Sequence, residues 1–483
     1  MSLYRFFAPF TAVSLAVGTL LFTGCTTVGP DYQAPEAQQA PSAYLAASEP
    51  GWQVQNQAWL EWQQWLPDEL FASLLKSALD HNPDVQMALA HLAQARAEQA
   101  VQAGTTGPNV EAAAKVSDDR LSTQGELFAN LPPSMAVKNQ FDNRQLGFDA
   151  SWELDLFGYQ RRLNEGAKAR TESIQAHAQD VRLSLAAEVA RNYVELRLNQ
   201  QRSRLLKSQI EPLAQSLQIT QQAVQAGELA ASELARLRNA LSNLQADEPL
   251  LAQSRRQNLL ALSVLTALPA AELQERLEQN AEGMSVPPVP PPPPSGLPAD
   301  LMRHRPDVIA AERDWAAANA EVGVAVALQY PRLNLIGSAG WNSIHSDNLL
   351  DSASRMWSVG PALSLPIFES GRLQNQERAA RANLQAAQAQ YHKTLLAAVA
   401  DVDGALQRLA QNEQRRVQLV QAEQAQATVL RLTQRQWAAG EAARLNVLEA
   451  QRALAAQTDL SVQAQAQSVL NVVALYKALG GGF

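Results

Sequence analysis

Histidine, cysteine and paired acids are the side chains with the widest chemical repertoire, and they are few in this 483-residue chain. No histidine has a second histidine or a cysteine at the spacing of a metal site; the histidines are His81, His91, His177, His304, His345 and His392. The acid pairs Asp118–Asp119 and Asp401/Asp403 fit a loop or helix surface better than a catalytic pair. The sequence also lacks a glycine-rich phosphate loop and the motifs GxSxG and HExxH. It therefore predicts no catalytic residue, no metal and no cofactor, and it argues against an enzyme.

Cys25 is the one cysteine, and the residues before it predict a covalent modification. Arg5 is followed by an apolar run from about Phe6 to Phe22, and the chain then reads LFTGC at 21–25. Such a run before small residues is typical of a secretory signal peptide, and LFTGC resembles the bacterial lipobox, with Phe22 where leucine is usual. We predict a signal peptide at 1–24 and a lipid-bearing mature N-terminus at Cys25. The run is short for the alternative, a transmembrane anchor.

The composition favours long helices packed through small residues. Hydrophobic residues make up 46 % of the chain and aromatic residues only 6 %, while alanine and glutamine are abundant. The net charge of -8 comes without a basic block, so the chain is not expected to bind nucleic acid.

The chain repeats itself, which predicts two related halves. HNPDV at 81–85 matches HRPDV at 304–308, and ITQQAVQAGELAASELARLRNAL at 219–241 matches LTQRQWAAGEAARLNVLEAQRAL at 432–454. We place the first repeat at 68–268 and the second at 299–480, with a linker at 269–298 between them. The linker contains VPPVPPPPPSGLP at 286–298, and so many prolines predict a stiff, extended connector.

Each half combines two strands with a very long helical hairpin. QLGFDASWELDLFG at 145–158 alternates apolar and polar residues, the pattern of a strand with one apolar face. The predicted strands are about 109–117, 145–156, 332–342 and 356–366. From Arg372 to Ala439 there is no proline and one glycine, which predicts a helix of about 100 Å. Apolar residues along it alternate steps of three and four, the seam of a coiled coil.

The apolar strand faces need a cover. A lipid bilayer could supply it, with Trp152, Trp341 and Trp357 at the membrane boundary. Because an open sheet edge cannot stand in hydrocarbon, the strands would have to close into a barrel shared by several copies. The alternative is an ordinary α+β core in which the strands pack on the helices.

The sequence resembles the TolC-like outer membrane factors, in particular the NodT-type lipoprotein branch. The resemblance covers almost the whole chain after the signal. It rests on CTTVGPDY at 25–32, LPADLMRHRPDVIAAERDWAAANAEVGVA at 297–325, YPRLNL at 330–335, WELDLFG at 152–158, LPIF at 365–368 and LYKALGGG at 475–482. It implies a mainly α chain with a small β part and an internal two-fold repeat. Three chains would share a 12-stranded outer-membrane β-barrel, continued by a 12-helix coiled-coil periplasmic tunnel. Residues 25–67 would supply the lipidated N-terminal segment and part of an equatorial collar.

The two hairpin turns, at Gly227-Glu228 and Gly440-Glu441, interrupt the helical pattern at matching places. The resemblance implies that they form the periplasmic end of the tunnel, with Leu445, Glu449 and Arg452 as its gate. Glu449 stands where close members of the family carry aspartate. The expected contacts with a periplasmic adaptor are Gly227, Glu228, Leu229, Ser232, Glu233, Leu234, Gly440, Glu441 and Val447.

The leading hypothesis for function is the outer-membrane exit duct of a tripartite efflux pump that exports small molecules. The implied partners are two further copies of the chain, an adaptor (membrane fusion) protein, an inner-membrane transporter of the RND type and outer-membrane lipid. In the lipoprotein pattern, an aspartate after the modified cysteine favours retention at the inner membrane. This sequence has Thr26 there, so the pattern implies the outer membrane. The alternatives are a type I protein-secretion channel, a coiled-coil envelope lipoprotein without a pore, and an envelope enzyme. The substrate cannot be read from these residues.

Overall fold

The computed structural model describes residues 27–35, 66, 68–122, 139–279, 285–289 and 304–481. The predicted signal peptide and Cys25 lie outside this range, as do residues 290–298 of the proline-rich stretch. Within it the chain is mainly helical with one small sheet, in agreement with the sequence.

The two halves share the order of a helix, two strands and a long helical hairpin. The first contains α1 Glu69–His81, α2 Pro83–Gly104, β1 Asn109–Arg120, β2 Gln140–Leu154, α3 Tyr159–Gln225, α4 Ala231–Thr266 and α5 Ala270–Gln279. The second contains α6 Pro306–Ala327, β3 Arg332–Ser343, a 3-10 turn Ser352–Ser354, β4 Arg355–Ser364, α7 Arg372–Ala438 and α8 Arg444–Ala478.

Several strand boundaries differ from the sequence prediction: β1 runs to Arg120 rather than about 117, and β2 ends at Leu154 rather than about 156. Two further differences have identifiable reasons. β2 begins at Gln140 rather than near 145, because its polar first residues still pair with β1, as Asp142 does with Asp118. A strand segment that is held only by backbone hydrogen bonds need not alternate apolar and polar residues, so the sequence does not reveal it. β4 ends at Ser364, just before Leu365 and Pro366, and proline has no N–H to continue a ladder.

The residues 1–34, 93–173 and 312–389 form one compact unit, which contains the sheet. Its four strands lie in the order β1-β2-β3-β4, and all neighbours are antiparallel. The register sets Leu146 opposite Trp341, so the apolar residues of neighbouring strands share one face. That face is open in the chain: Phe148 is 58 % exposed and Val359 65 %.

The same unit holds the N-terminal segment 27–35 against α3 and α6. The Arg162 guanidinium, buried except for 4 % of its side chain, donates to the carbonyls of Val28 and Gly29 and pairs with Asp31 at 2.6 Å. Tyr32 donates to Glu312 at 2.9 Å. These contacts fix the chain just after the predicted lipid attachment residue.

The residues 35–92, 174–311 and 390–483 form the second unit, with α1, α4, α5, α8 and the later parts of α3 and α7. Its core is built from side chains that are almost fully buried: Phe71, Leu74, Tyr193, Val194, Leu262, Leu273 and Leu475. The start of the proline-rich stretch 286–298 also belongs to it. Val286 is 2 % exposed and donates its N–H to Gln201, while its carbonyl accepts from Gln465.

Candidate functional site

The two hairpin turns have one backbone geometry. Gly227 and Gly440 both have φ of 77°, in the left-handed region that favours glycine. After α3, Glu228 N–H bonds the Ala223 carbonyl and Gly227 N–H that of Val224. The α7 turn repeats both bonds, from Glu441 to Gln436 and from Gly440 to Trp437. Each turn is therefore a Schellman motif, which satisfies the last carbonyls of the helix before the chain reverses.

Most of the residues predicted to contact an adaptor lie on the surface of the turns. Exposed ones are Gly227, Glu228, Leu229, Ser232, Gly440 and Glu441, and half-buried ones are Glu233 and Leu234. Val447 differs, because it is only 7 % exposed and packs inside the second unit. Its apolar side chain lies on the buried side of α8, so it does not belong to the exposed tip surface of this chain.

The predicted gate residues share one face of α8 at spacings of four and three. Leu445 is half-buried, whereas Glu449 and Arg452 are exposed. Within the described part of the chain, neither charged side chain has an ion pair. The first hairpin differs, since Glu233 and Arg236 approach to 3.4 Å. The Glu449 and Arg452 charges are thus available for contacts outside the chain.

Two polar contacts that the sequence did not reveal link α3 with the second hairpin. Arg202 binds Asp459 through two nitrogens, at 3.0 and 3.4 Å. Nearer the turn, the Arg444 guanidinium lies 5.8 Å from the centre of the Trp437 ring and donates to Gln215 at 3.4 Å. Single charged residues on a polar helix face have no characteristic spacing in the sequence. Neither contact could therefore be predicted from a sequence pattern.

A cavity of about 820 Å³ lies between α3, α7 and α8 beside these contacts. Its walls combine apolar and polar groups, including Leu205, Pro212, Leu430, Trp437, Arg444 and Leu454. The helices therefore do not pack closely at this level.

The three predicted boundary tryptophans lie on the apolar face of the sheet. Trp357 is 77 % exposed and Trp152 40 %, whereas Trp341 is half-buried. Trp152 is level with Leu335, and Trp341 with Leu146. Six residues of β2 therefore separate the two levels, or about 20 Å at the rise of a strand. With the strand tilt of membrane barrels, about 40°, this length spans about 15 Å of the apolar band of about 25 Å between the aromatic girdles.

The opposite face of the sheet is polar and carries charge. Glu111 and Asp149 are paired neighbours, and Glu153 binds Arg332 at 2.5 and 3.0 Å. The centre of this face has almost no side chain, because Gly147 is paired with Gly340. A Cβ atom on Gly147 would lie 2.8 Å from the Ala339 carbonyl oxygen, so the two backbones approach more closely than other residues allow.

A charged cluster in the second unit is built around Arg305 of the HRPDV motif at 304–308. Arg305 binds both oxygens of Asp307, at 3.0 and 2.8 Å, and Asp401 at 3.2 Å. Its remaining nitrogen donates to the Ala478 carbonyl, at the end of α8. Burial, and then the nearby Asp307 carboxylate, raise the pKa of Asp180.

Neither a metal site nor a membrane-spanning helix is found in the described residues. No three of their His, Cys, Asp or Glu side chains lie close enough to hold an ion. None of their helices has a stretch both long and apolar enough to cross a bilayer.

Comparison with known proteins identifies the family. The model of the outer membrane efflux protein family matches twice, over residues 74–268 and 297–481. The chain is 30 % identical to the antibiotic efflux pump outer membrane protein ArpC of Pseudomonas putida, over 98 % of this chain and 95 % of that protein. It is also 30 % identical to nodulation protein T of Rhizobium leguminosarum bv. viciae, over 98 % and 93 %.

A solved structure agrees with this result. The outer-membrane channel OprN is 30 % identical and superposes with a TM-score of 0.82, over 94 % of this chain and 99 % of that one. The chain therefore belongs to the outer membrane efflux protein family and is an outer-membrane exit duct for efflux.

Proposed function

We propose that three copies of the chain assemble into one duct, with a 12-stranded barrel in the outer membrane and a tunnel of twelve helices in the periplasm. The observation that carries this proposal is the sheet. Its apolar face is exposed, and β1 and β4 each have one unpaired edge within the described chain. Backbone groups in hydrocarbon must be paired, and single-chain barrels begin at about eight strands. Joining β4 of one copy to β1 of the next satisfies both requirements.

The polar face then lines the lumen, which the glycine pair supports. Gly147 and Gly340 carry no side chain on that face, and their backbones lie close together. A sheet can bend towards a face where side chains are missing. The barrel would therefore close around the side that carries Asp149 and Glu153.

Matching tertiary contacts, in addition to the sequence, support the proposed internal repeat. Asn82 precedes α2 and donates to the Leu265 carbonyl, near the end of α4. Arg305 precedes α6 and donates to the Ala478 carbonyl, at the end of α8. Each half thus ties the start of the helix before its strands to the end of its returning helix.

Acylation of Cys25 by a covalent lipid would anchor the chain to the outer membrane. The nearest described residues support this position. Thr27 packs on Gly158, where a Cβ would lie 2.5 Å from its Cγ2, and Val28 N–H bonds the Phe157 carbonyl at 3.0 Å. These contacts hold the segment beside the link between β2 and α3, at the end of the strand that would leave the membrane. An acyl chain two residues earlier could enter the adjacent leaflet.

The exposed turns would form the periplasmic end, with Leu445, Glu449 and Arg452 as the gate. Around the three-fold axis, Glu449 of each copy could form an ion pair with Arg452 of the neighbouring copy. The exposed turn residues would dock a periplasmic adaptor, which would connect the duct to an inner-membrane transporter of the RND type. The cargo would be small molecules, a proposal supported by the name of the antibiotic efflux relative. A type I secretion channel is the alternative, and the efflux relatives favour it less.

The experiment is planar-bilayer conductance of the detergent-extracted oligomer, after its mass has been measured. We expect a trimer with small, brief openings, and large, steady openings from the Glu449→Ala, Arg452→Ala variant. Glu441→Ala, which changes an exposed acid at the same tip, is the matched control and should leave the openings small. Absence of conductance from a folded trimer of either variant would contradict the gate and the duct together.

A further inference from the structure

The link that follows β4 carries the most exposed large apolar side chains of the described residues. Ile367 is 92 % exposed and Phe368 85 %. The corresponding residue of the first half, Phe157, is half-buried and packs on the ring of Tyr330, with 4.9 Å between the ring centres. Tyr330 precedes β3 and thus belongs to the second half. The link after β2 is therefore covered by the other half of the same chain, whereas the described residues leave the link after β4 open.

The helices next to these links show the same difference. Ala169 of α3 packs with Ala316 and Ala317 of α6 in a buried cluster between the two halves. In the repeat, Ala382 of α7 takes the place of Ala169 and Ala93 of α2 that of Ala316, and both are exposed. The contact of β2 and α3 with β3 and α6 is therefore complete within the chain. The matching surfaces, β4 with α7 and β1 with α2, lack their counterpart, and the next copy in a closed ring supplies it.

The repeat allows two registers for β4 on β1 of the next copy, and they differ by two residues. Matched by the sequences LDLF and LPIF, Val359 takes the place of Phe148. The partner of Phe148 in β3 corresponds to Val116 of β1, so Val359 would pair with Val116 of the next copy. Matched instead by the pairing within each hairpin, Val359 takes the place of Leu146 and would pair with Asp118.

The closure of the barrel decides between these registers. From Val110, the pairing within the chain leads across the sheet to Ala150, Gly337 and Val359. Pairing of Val359 with Val116 then shifts the level along β1 by six residues for each copy, which tilts twelve strands by about 46°. Pairing with Asp118 shifts it by eight residues and gives about 54°. Membrane barrels have tilts of about 35–45°, and the first register also sets an apolar side chain opposite Val359.

We propose that neighbouring copies join as the two halves of one chain do, with Val359 opposite Val116 of the next copy and Phe368 on Gly107 of that copy. The proposal rests on the shared barrel of the proposed duct and adds the register of its seams. Val359 and Val116, 65 % and 75 % exposed, cover each other on the apolar face. Gly107 stands where the second half has Tyr330, and a Cβ there would have its nearest contact at 3.7 Å. Phe368 occupies the space that the Tyr330 ring fills at the other seam.

Cysteine cross-linking of the full-length protein in membranes tests the register. Ser358 is exposed on the polar face of β4, and the proposed register sets it opposite Ser117 of the next copy. A shift of two residues in either direction would set it opposite Lys115 or Asp119. The matched variants therefore combine Ser358→Cys with Ser117→Cys, Lys115→Cys or Asp119→Cys. Directly opposite Cβ atoms lie about 5 Å apart and diagonal ones up to about 7 Å, while a disulfide needs about 4 Å.

We expect mild oxidation to join most chains of the Ser358→Cys, Ser117→Cys variant into covalent trimers, and few chains of the other two. Within one chain β1 and β4 are separated by two strands, so these cysteines cannot join without a second copy. Cys25 is the only native cysteine, and the protein without engineered cysteines gives the background. A dominant cross-link at Lys115→Cys or Asp119→Cys would overturn the register and leave the shared barrel standing. An intact trimer without any of the three would overturn both. Cross-links in the proposed register without conductance would count only against the duct.

A second measurement tests the contact of Phe368. Phe368→Ala should lower, by several degrees, the temperature at which the trimer separates into single chains. Phe148→Ala is the matched control, because Phe148 is 58 % exposed on the apolar face of β2, a strand that has a partner on both sides within the chain. Its trimer should separate at the native temperature. Equal temperatures for Phe368→Ala and the native protein would overturn the Phe368 contact.

Discussion

Arg305 donates a hydrogen bond of 2.8 Å to the carbonyl of Ala478, joining the residue before α6 to the end of α8. Asn82 makes the equivalent bond to Leu265 in the first half, with a shorter, uncharged side chain. The arginine also binds Asp307 and Asp401. The second half thus replaces a neutral tie with a charged cluster in which every nitrogen of one guanidinium is used.

Removing this guanidinium should destabilise the second unit. Arg305→Ala leaves the Asp307 and Asp401 carboxylates without their cation and the Ala478 carbonyl without its donor. Because both carboxylates are partly exposed to water, we expect a loss of about 1–3 kcal/mol. Thermal unfolding of the purified oligomer measures it. Arg415→Ala, an exposed α7 change, is the control. If both variants unfold at the native temperature, the cluster does not hold α6 to α8.

The same cluster should make stability depend on pH. Burial and Asp307 raise the pKa of Asp180, against the opposing charges of Lys477, His177 and Arg305. The folded state then binds the Asp180 proton more tightly than the unfolded state. Ionisation of Asp180 therefore lowers the free energy of unfolding, and this stability is lost as the pH rises through the folded-state pKa.

Asp180→Asn should remove that cost. We expect the variant to be more stable than the native protein at pH 8, with a gap that shrinks as the pH falls towards about 4, near the ordinary aspartate value. Unfolding temperatures across this range measure the gap. A gap that grows on acidification would mean that the carboxylate stabilises the fold.

A side chain on Gly147 should prevent the sheet from forming normally. Its Cβ would meet the Ala339 carbonyl oxygen at 2.8 Å and the Gly340 Cα at 3.1 Å, both backbone atoms. We expect Gly147→Val to cost at least 1–3 kcal/mol, on the order of other overpacking changes, and to lower the yield of trimer from membranes.

Gly360→Val is the matched control for that change. Gly360 lies in β4 of the same sheet, and a Cβ there would meet nothing within 4 Å. Its trimer yield should stay close to native. Equal yields from the two variants would show that close approach at Gly147 is not required.

Adjacent residues of β4 lie on opposite faces of the sheet, because side chains alternate along a strand. Trp357 lies on the apolar face and Ser358 on the polar one. Val359 lies on the same face as Trp357, between the levels of Trp152 and Trp341. If the apolar face meets lipid, Val359→Arg should lower stability in the membrane by about 2–4 kcal/mol, whereas Ser358→Arg in the lumen should be tolerated. Heat-stable trimer in outer-membrane fractions gives the comparison. Loss of trimer with Ser358→Arg alone would reverse the assignment of the faces.

The sequence predicted the elements well where the physics is local. Proline at the first turn marked α2 and α6, glycine marked both hairpin turns, and alternation marked the apolar strand faces. The polar start of β2 escaped notice because pairing with β1 depends on a distant strand. The burial of Val447, a predicted adaptor contact, was not visible in the sequence for a related reason: spacing alone does not tell which helix covers which face.

The cluster around Arg305 also shows that a local sequence pattern does not reveal the distant partners of a residue. The HRPDV motif was visible as a repeat, but Asp401, Ala478 and Asp180 come from other helices. No pattern within one segment can reveal such partners. Arg202 with Asp459 and Arg444 with Gln215 were missed because both contacts join different hairpins.

The turns at Gly227 and Gly440 have an evolutionary consequence. A Cβ at either glycine would meet nothing within 4 Å, so only the left-handed backbone angle restricts these positions. The bonds that close each turn come from the main chain, and the caps of α4 and α8, Ala230 and Ala443, use no side chain. The reversal of the chain is therefore independent of the side chains displayed around it. The exposed side chains of the turns, and with them the choice of pump partners, could therefore change during evolution while the turns still form.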